Sequence, residues 1–289
     1  MEFEEGIRTD ISHEDYLSIP ALSSSALKIV HEKSLLHYDY SRRHPRPPTD
    51  AMAMGTALHM MILEPDRART DVLCVPAEAP NRPTRIQLNA KKPSPATLEA
   101  IDWWRAWNER TAGKTVLSPD HYAQAEGMAE AVRNHPSFDD LFTGGSSEVS
   151  LQWTDETYGM PCKCRFDYLT RDGWATDLKS CADASPGGFA RASASFLYHF
   201  QDAHYRAGFE AMQGEPLKCF LFVAVESEPP HAVGVYMMPE NALNFARDRI
   251  DAIKARLREA QATNVWPGYS PNVQQLVYPK WATQLATPY

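Results

Sequence analysis

The sequence predicts an α/β fold, a mixed central sheet flanked by helices, with a helical elaboration at its amino-terminal side. Two patterns carry that expectation. Between residues 148 and 179 apolar and polar residues alternate in three successive runs, the period of half-buried strands. Before and after those runs, apolar residues recur at helical spacing. The chain has 289 residues, enough to bury a large core. One domain is expected: a helical part over 1–145, a sheet and helix carrying the chemistry over 146–238, and a helix and tail over 239–289.

In chain order, the first strong pattern is Leu22-Ser-Ser-Ser-Ala-Leu-Lys-Ile-Val30 followed by Leu35-Leu-His-Tyr38, a serine-capped helix. Ser24, Ser25 and Lys28, with the free N–H groups of the helix start, could hold a phosphate; a plain capping box explains the same residues. Residues 39–50 form a basic, proline-rich connection with Arg42 and Arg43. Residues 49–64 then read as a nearly all-apolar helix ended by Pro65, expected to be buried, with Gly55 giving a neighbour room to approach. His59 within it is either a hydrogen-bonded core histidine or a ligand. Residues 76–97, proline-rich with Lys91 and Lys92, look like a long loop, disordered or folding over substrate. Residues 98–135 read as helices, with Trp103, Trp104 and Trp107 as core or subunit contacts rather than base-stacking residues.

The three alternating runs follow. In the first, Val149, Leu151 and Trp153 point inward, against Glu148, Ser150 and Gln152. In the second, Cys162, Cys164, Phe166 and Tyr168 oppose Lys163, Arg165 and Asp167. The third, residues 174–179, ends in Asp177-Leu178-Lys179 and is joined to the second by a tight turn at Arg171-Asp172-Gly173. Residues 186–214 carry a helical pattern of about seven turns, on which Gln201 and Tyr205 share a face. Without the strands, Gln201 would read as a surface residue and Tyr205 as a half-buried aromatic. Two more strands are expected near 217–225 and 232–237, then an amphipathic helix from 239 to about 262.

The hairpin would bring Asp167, Asp177 and Lys179 to one sheet edge. Two carboxylates ~4 Å apart at an effective dielectric of ~20 repel by roughly 4 kcal/mol, so the pair calls for a divalent cation. A lysine beside that cation suits phosphodiester hydrolysis, because it can orient a nucleophile and offset transition-state charge.

Several motifs match a known group in order. Asp167…Asp177-Leu178-Lys179 resembles the signature of the PD-(D/E)xK nuclease superfamily. Gly55-Thr-Ala-Leu-His59, the Gln201-x-x-x-Tyr205 pair and the Ser-x-Ser-x-Leu helix start resemble its RecB-type branch. The stretch Gly6-Ile-Arg-Thr-Asp-Ile-Ser-His-Glu-Asp-Tyr16 resembles the start of the RecE-type (exonuclease eight-like) domain of prophages. The resemblance implies a restriction-endonuclease-like core and an exodeoxyribonuclease dependent on Mg²⁺, with Mn²⁺ able to substitute. It implies degradation of the 5′-ended strand of linear double-stranded DNA to mononucleotides, leaving 3′ tails for recombination by strand annealing. On that reading His59, Asp167, Asp177 and the Leu178 carbonyl hold the metal, and Glu148 is a ligand for a second ion. Lys179 positions the attacking water, and Gln201 and Tyr205 line the DNA cleft. Ser24, Ser25, Lys28, Lys163 and Arg165 contact phosphate. The implied partners are a RecT-like annealing protein and further copies of the chain, in a ring of three or four around the duplex. The alternatives are a structure- or site-selective endonuclease on the same fold and a non-catalytic DNA-binding member; the intact D…D-x-K pattern argues against the latter.

Bulk properties bound these readings. The acidic start, Met-Glu-Phe-Glu-Glu, has no apolar signal region, and no run approaches the ~20 apolar residues of a membrane span. The five cysteines, an odd number with Cys162 and Cys164 on one inward face, suggest reduced thiols and a cytoplasmic protein, bacterial or phage-encoded. Some RecB-type nucleases place three cluster-binding cysteines near the carboxy end. Here no cysteine follows Cys219, so no iron–sulfur cluster is expected. The net charge of −8 sits awkwardly with a duplex partner and requires the basic residues to be concentrated locally.

Overall fold

A computed structural model describes residues 1–44 and 49–279; residues 45–48 of the basic, proline-rich connection lie outside the described residues. The amino-terminal part contains β1 (Gly6–Arg8), α1 (His13–Ser18), α2 (Ser24–Glu32), α3 (Leu35–Arg43), α4 (Asp50–Leu63), α5 (Pro65–Asp71) and β2 (Val72–Cys74). It continues through α6 (Arg85–Leu88), α7 (Pro95–Arg110), β3 (Thr115–Leu117), α8 (Pro119–Arg133) and α9 (Phe138–Phe142). Then come β4 (Gly145–Asp155), β5 (Met160–Thr170), β6 (Trp174–Cys181), α10 (Pro186–Ser195) and α11 (Tyr198–Gln213). The last elements are β7 (Cys219–Glu226), β8 (Val233–Met237) and α12 (Glu240–Thr263).

Six strands form the central sheet in the order β1-β4-β5-β6-β7-β8. Every pairing is antiparallel except β6 with β7, whose connection through α10 and α11 is the helical crossover that a parallel pair needs. Alternation along β7 shows the two faces: Phe220, Phe222 and Ala224 pack with α11 and α12, while Val223 and Val225 pack with α4 and α8. The sheet is therefore sandwiched between helices, a mixed α/β layering consistent with a restriction-endonuclease-like core.

Two details position the site. First, β5 and β6 pair only at Tyr168↔Thr176 and Leu169↔Ala175, next to their turn. Beyond that point the strands part, β5 staying with β4 and β6 with β7. The side chain of Asp167 fills the fork, accepting the Leu178 N–H at 2.8 Å. Second, the polar face of β4 and β5 is roofed by the amino-terminal segment. Ser150, Gln152, Lys163 and Arg165 are all buried beneath it or beside it. This face looks like a solvated one in sequence because nothing local announces the cover.

Three expectations need correction. The helical pattern over 186–214 is two helices, broken at Phe196 and Leu197, where Leu197 takes a left-handed backbone (φ 52°). Gly55 gives room to no neighbour among the described residues: a Cβ built there meets nothing within 4 Å, and Met52 and Thr56 of the same helix are exposed. The 76–97 loop is tied down through its flank, with the Trp104 Nε1–H donating to the Pro80 carbonyl at 2.9 Å and the Arg82 guanidinium 4.3 Å from the Trp104 ring.

Candidate active site

The fork collects side chains from five elements. From α4 comes His59, one turn beyond the open patch at Gly55; from β4, Glu148; from β5, Asp167; from β6, Asp177 and Lys179; from α11, Gln201. One ligand atom each from His59, Glu148 and Asp167 lies within 4.8 Å of the others. His59 Nδ1 is 3.6 Å from Asp167 Oδ1. Glu148 reaches this point because its own backbone is left-handed (φ 55°), interrupting the β4–β5 ladder between Ser147 and Val149. Burial lifts the Asp167 carboxyl to about 7; Asp177 adds to the rise and His59 opposes it.

Asp177 stands apart from that trio. Its side chain accepts the Gln201 Nε2–H at 2.5 Å through Oδ1 and pairs with the Lys179 ammonium through Oδ2. Burial would push Lys179 down, but Asp177 and Asp167 outweigh it and raise its pKa, so it is a cation throughout the neutral range. Tyr205 does not join the polar cluster. Its ring lies in the core, edge-on to Phe166 at 5.0 Å and Phe220 at 5.7 Å.

A residue that sequence reasoning missed closes the other side. Tyr198, the first residue of α11, has Lys179 Nζ 5.1 Å and Lys28 Nζ 5.3 Å from its ring centre. Burial, with the Lys179 charge adding, lowers Lys28 to about 8. Tyr198 precedes Gln201 by three positions and so shares its helical face, the one signal that points to it. Ser24 lies one turn before Lys28 in α2 and is buried, and Ser25 is exposed; the helix cap itself is Ser23, which accepts the Ala26 N–H.

Lys163 and Arg165, expected to touch phosphate, are corrected by their contacts. Lys163 Nζ donates to the carbonyls of Tyr16 (2.7 Å), Leu17 (3.2 Å) and Ile19 (2.8 Å), so its donors are spent on the end of α1. Arg165 donates to Glu148 Oε2 at 2.5 Å and to the Ser12 carbonyl at 3.2 Å, so it orients an acid of the site and holds the start of α1. Arg42 and Arg43 both pair with the buried Asp39.

The donor set suits a hard divalent cation. It combines carboxylate oxygens with one imidazole, and burial together with the neighbouring Asp177 raises Asp167, a rise that a bound cation would offset. Lys179 and Lys28 on the far side of Asp177 supply cationic groups for a phosphate.

The sequence matches, over residues 23–277, the family described as a PDDEXK-like domain of unknown function (DUF3799). No curated protein matches it. Among solved structures, that of a candidate exonuclease from Eubacterium rectale superposes with a TM-score of 0.61 at 14% identity, covering 94% of this chain and 97% of that one. A second, SSO0001, gives a TM-score of 0.28 at 13% identity over 71% of this chain and 87% of its own.

Proposed function

From a chain that belongs to this PDDEXK-like family, within the PD-(D/E)xK nuclease superfamily, we propose a Mg²⁺-dependent exodeoxyribonuclease that digests linear duplex DNA from its ends. The observation that carries the reading is the fork itself, with His59, Glu148 and Asp167 gathered on one side and the Asp177–Lys179–Gln201 triplet on the other. His59, Glu148, Asp167 and Asp177 are the residues that would hold the ion, together with the Leu178 carbonyl. Bound there, Mg²⁺ supplies Lewis-acid polarisation of the phosphoryl group and offsets charge on the leaving oxygen.

The chain's own residues do the rest. Lys179 orients the attacking water and faces the charge that develops on the phosphoryl oxygens. Gln201 fixes the rotamer of Asp177, and the Leu178 N–H does the same for Asp167. Lys28, with Ser24 and Ser25, takes a neighbouring phosphate. The open patch of α4 at Met52, Gly55 and Thr56 lets a nucleic-acid backbone approach His59 closely.

Attack on the 5′-ended strand, release of mononucleotides and a 3′ single-stranded product for recombination complete the proposal. It is supported by the RecE-type pattern of the sequence and by the fold shared with the Eubacterium rectale protein, itself described as a candidate exonuclease. The same reading has the whole chain act as one nuclease domain, cytoplasmic, in a ring of three or four copies, with a RecT-like annealing protein receiving the 3′ strand. No described helix is long and apolar enough to cross a membrane.

One digestion tests polarity and mode together. Linear duplex labelled separately at its 5′ and 3′ ends, and the same DNA as a closed circle, are incubated with Mg²⁺ or EDTA. Mg²⁺-dependent release of 5′ label as mononucleotide with the circle intact is expected. Cutting of the circle would replace the exonuclease by a site- or structure-selective endonuclease on the same fold.

A further inference from the structure

The corner between α10 and α11 presents a contact that the acid–lysine cluster does not use. Apolar residues run through this stretch without a glycine or proline from Phe189 to Ala207, yet the helix stops at Ser195 and restarts at Tyr198. Leu197 sits between them in a left-handed backbone, a conformation that disfavours any side chain with a Cβ and persists only where the surroundings hold it. Its own side chain is buried, and the bend turns Phe196 outward to 61% exposure. Residues two apart do not face each other on a continuous helix. Here, because of the break, the Phe196 ring lies 5.9 Å from that of Tyr198, at 24° to it.

Tyr198 is firmly seated. Its ring is nearly parallel to Phe222 at 5.7 Å and packs against Phe189 at 5.9 Å. An aromatic series therefore runs from the core, past the two ammonium groups of Lys179 and Lys28, and ends in a ring open to solvent. Cations for phosphate at one end and a free π face at the other match the two halves of a nucleotide. Single exposed apolar residues are ordinary on any surface. This one is distinguished by the left-handed corner that presents it and by its continuity with the lysine pair.

We propose that Phe196 is a stacking platform for an unpaired nucleobase, the terminal base of the strand whose phosphate lies at the fork. The inference rests on the nuclease reading for its substrate class. Stacking on an aromatic ring accepts any base, so the platform imposes no sequence preference. It would also favour fraying of a paired end, since an opened base exchanges its lost neighbour for the ring.

A binding cycle in EDTA separates this role from catalysis. The probes are two duplexes with one unpaired 5′-terminal nucleotide, one carrying its base and one abasic. The wild-type chain is expected to bind the base-bearing end about tenfold more tightly, the effect of one base–aromatic stack. Phe196→Ala should bind both ends alike, at the wild-type affinity for the abasic one, and Phe196→Trp should restore the preference. Equal binding of both ends by the wild type, or an undiminished preference in Phe196→Ala, would overturn the platform. So would a change of oligomeric state in Phe196→Ala with the preference kept, which would make the ring a contact between copies. A wild-type chain that discriminates the two ends but cuts no DNA with Mg²⁺ would sink the nuclease reading and leave the platform standing.

Discussion

Asp167 is the residue at which burial bears most directly on the chemistry proposed for the fork. Its carboxyl is raised to about 7 by burial, so the folded chain without metal holds that proton more tightly than the unfolded chain does. The sign follows directly. This group favours the metal-free fold in acid and disfavours it progressively as pH rises from the ordinary carboxylate range through about 7. A divalent cation competes with the same proton, so its stabilising effect must grow over the upper part of that range. Thermal unfolding in EDTA and in Mg²⁺ at pH 5.5 and pH 8 checks this. The upward shift given by Mg²⁺ is expected to be clearly larger at pH 8, and an equal shift at both values would remove Asp167 from the ion's surroundings. At this scale the sequence was informative where spacing alone decides placement. Asp177, Leu178 and Lys179 follow one another on a strand, and strand periodicity puts both charged groups on one face. Glu148 was harder to place, because its approach to His59 depends on a positive φ that no neighbouring residue announces.

Among the elements, α1 shows how a sheet face can change character. Six residues long, it is too short to be stable alone, and it is fastened by Lys163 and Arg165 from the strand below. A lysine and an arginine on a polar strand face look available to phosphate in sequence, whereas the carbonyls of Tyr16, Leu17 and Ile19 take the lysine's donors. Replacement of Lys163 by Met would leave those carbonyls without a charged donor, at a cost of about 1–3 kcal/mol. Urea unfolding of Lys163→Met should show that loss while duplex affinity stays unchanged. Weakened DNA binding with unchanged stability would return Lys163 to the role first expected of it. The break between α10 and α11 was illegible for a related reason. Phe196 and Leu197 fit helical periodicity, and the left-handed Leu197 is buried in a core built mostly from residues distant in sequence.

For the whole molecule, the strand order explains why the site lies where it does. The sheet opens between β5 and β6, and helices on opposite faces of it, α4 and α11, contribute His59 and Gln201 to the same gap. Periodicity could predict strands and helices but not the fork, since pairing partners and their divergence are properties of the assembled sheet. The net charge of −8 is also easier to understand in three dimensions. Many basic side chains are paired within the protein, among them Arg67 with Asp71, Arg206 with Asp202 and Lys254 with Asp155. On the nuclease reading, the positive charge that meets DNA is local, centred on Lys28 and on Lys179, which also pairs with Asp177, about the Tyr198 ring. On the same reading, a metal that neutralises the acids would strengthen the hold of this site on a phosphate, and the lysine pair alone gives it a weaker one. The nuclease reading requires cleavage to depend jointly on the ion and on the lysine of β6. Its most direct test is a Mg²⁺ titration of linear-duplex cleavage by the wild-type chain and by Lys179→Ala, with duplex binding followed in parallel. Cleavage by the wild type is expected to depend on Mg²⁺ and to fall at least about 10²-fold in Lys179→Ala, with binding retained, as for removal of a transition-state contact. Undiminished cleavage by Lys179→Ala, or wild-type cleavage that persists in EDTA, would contradict it.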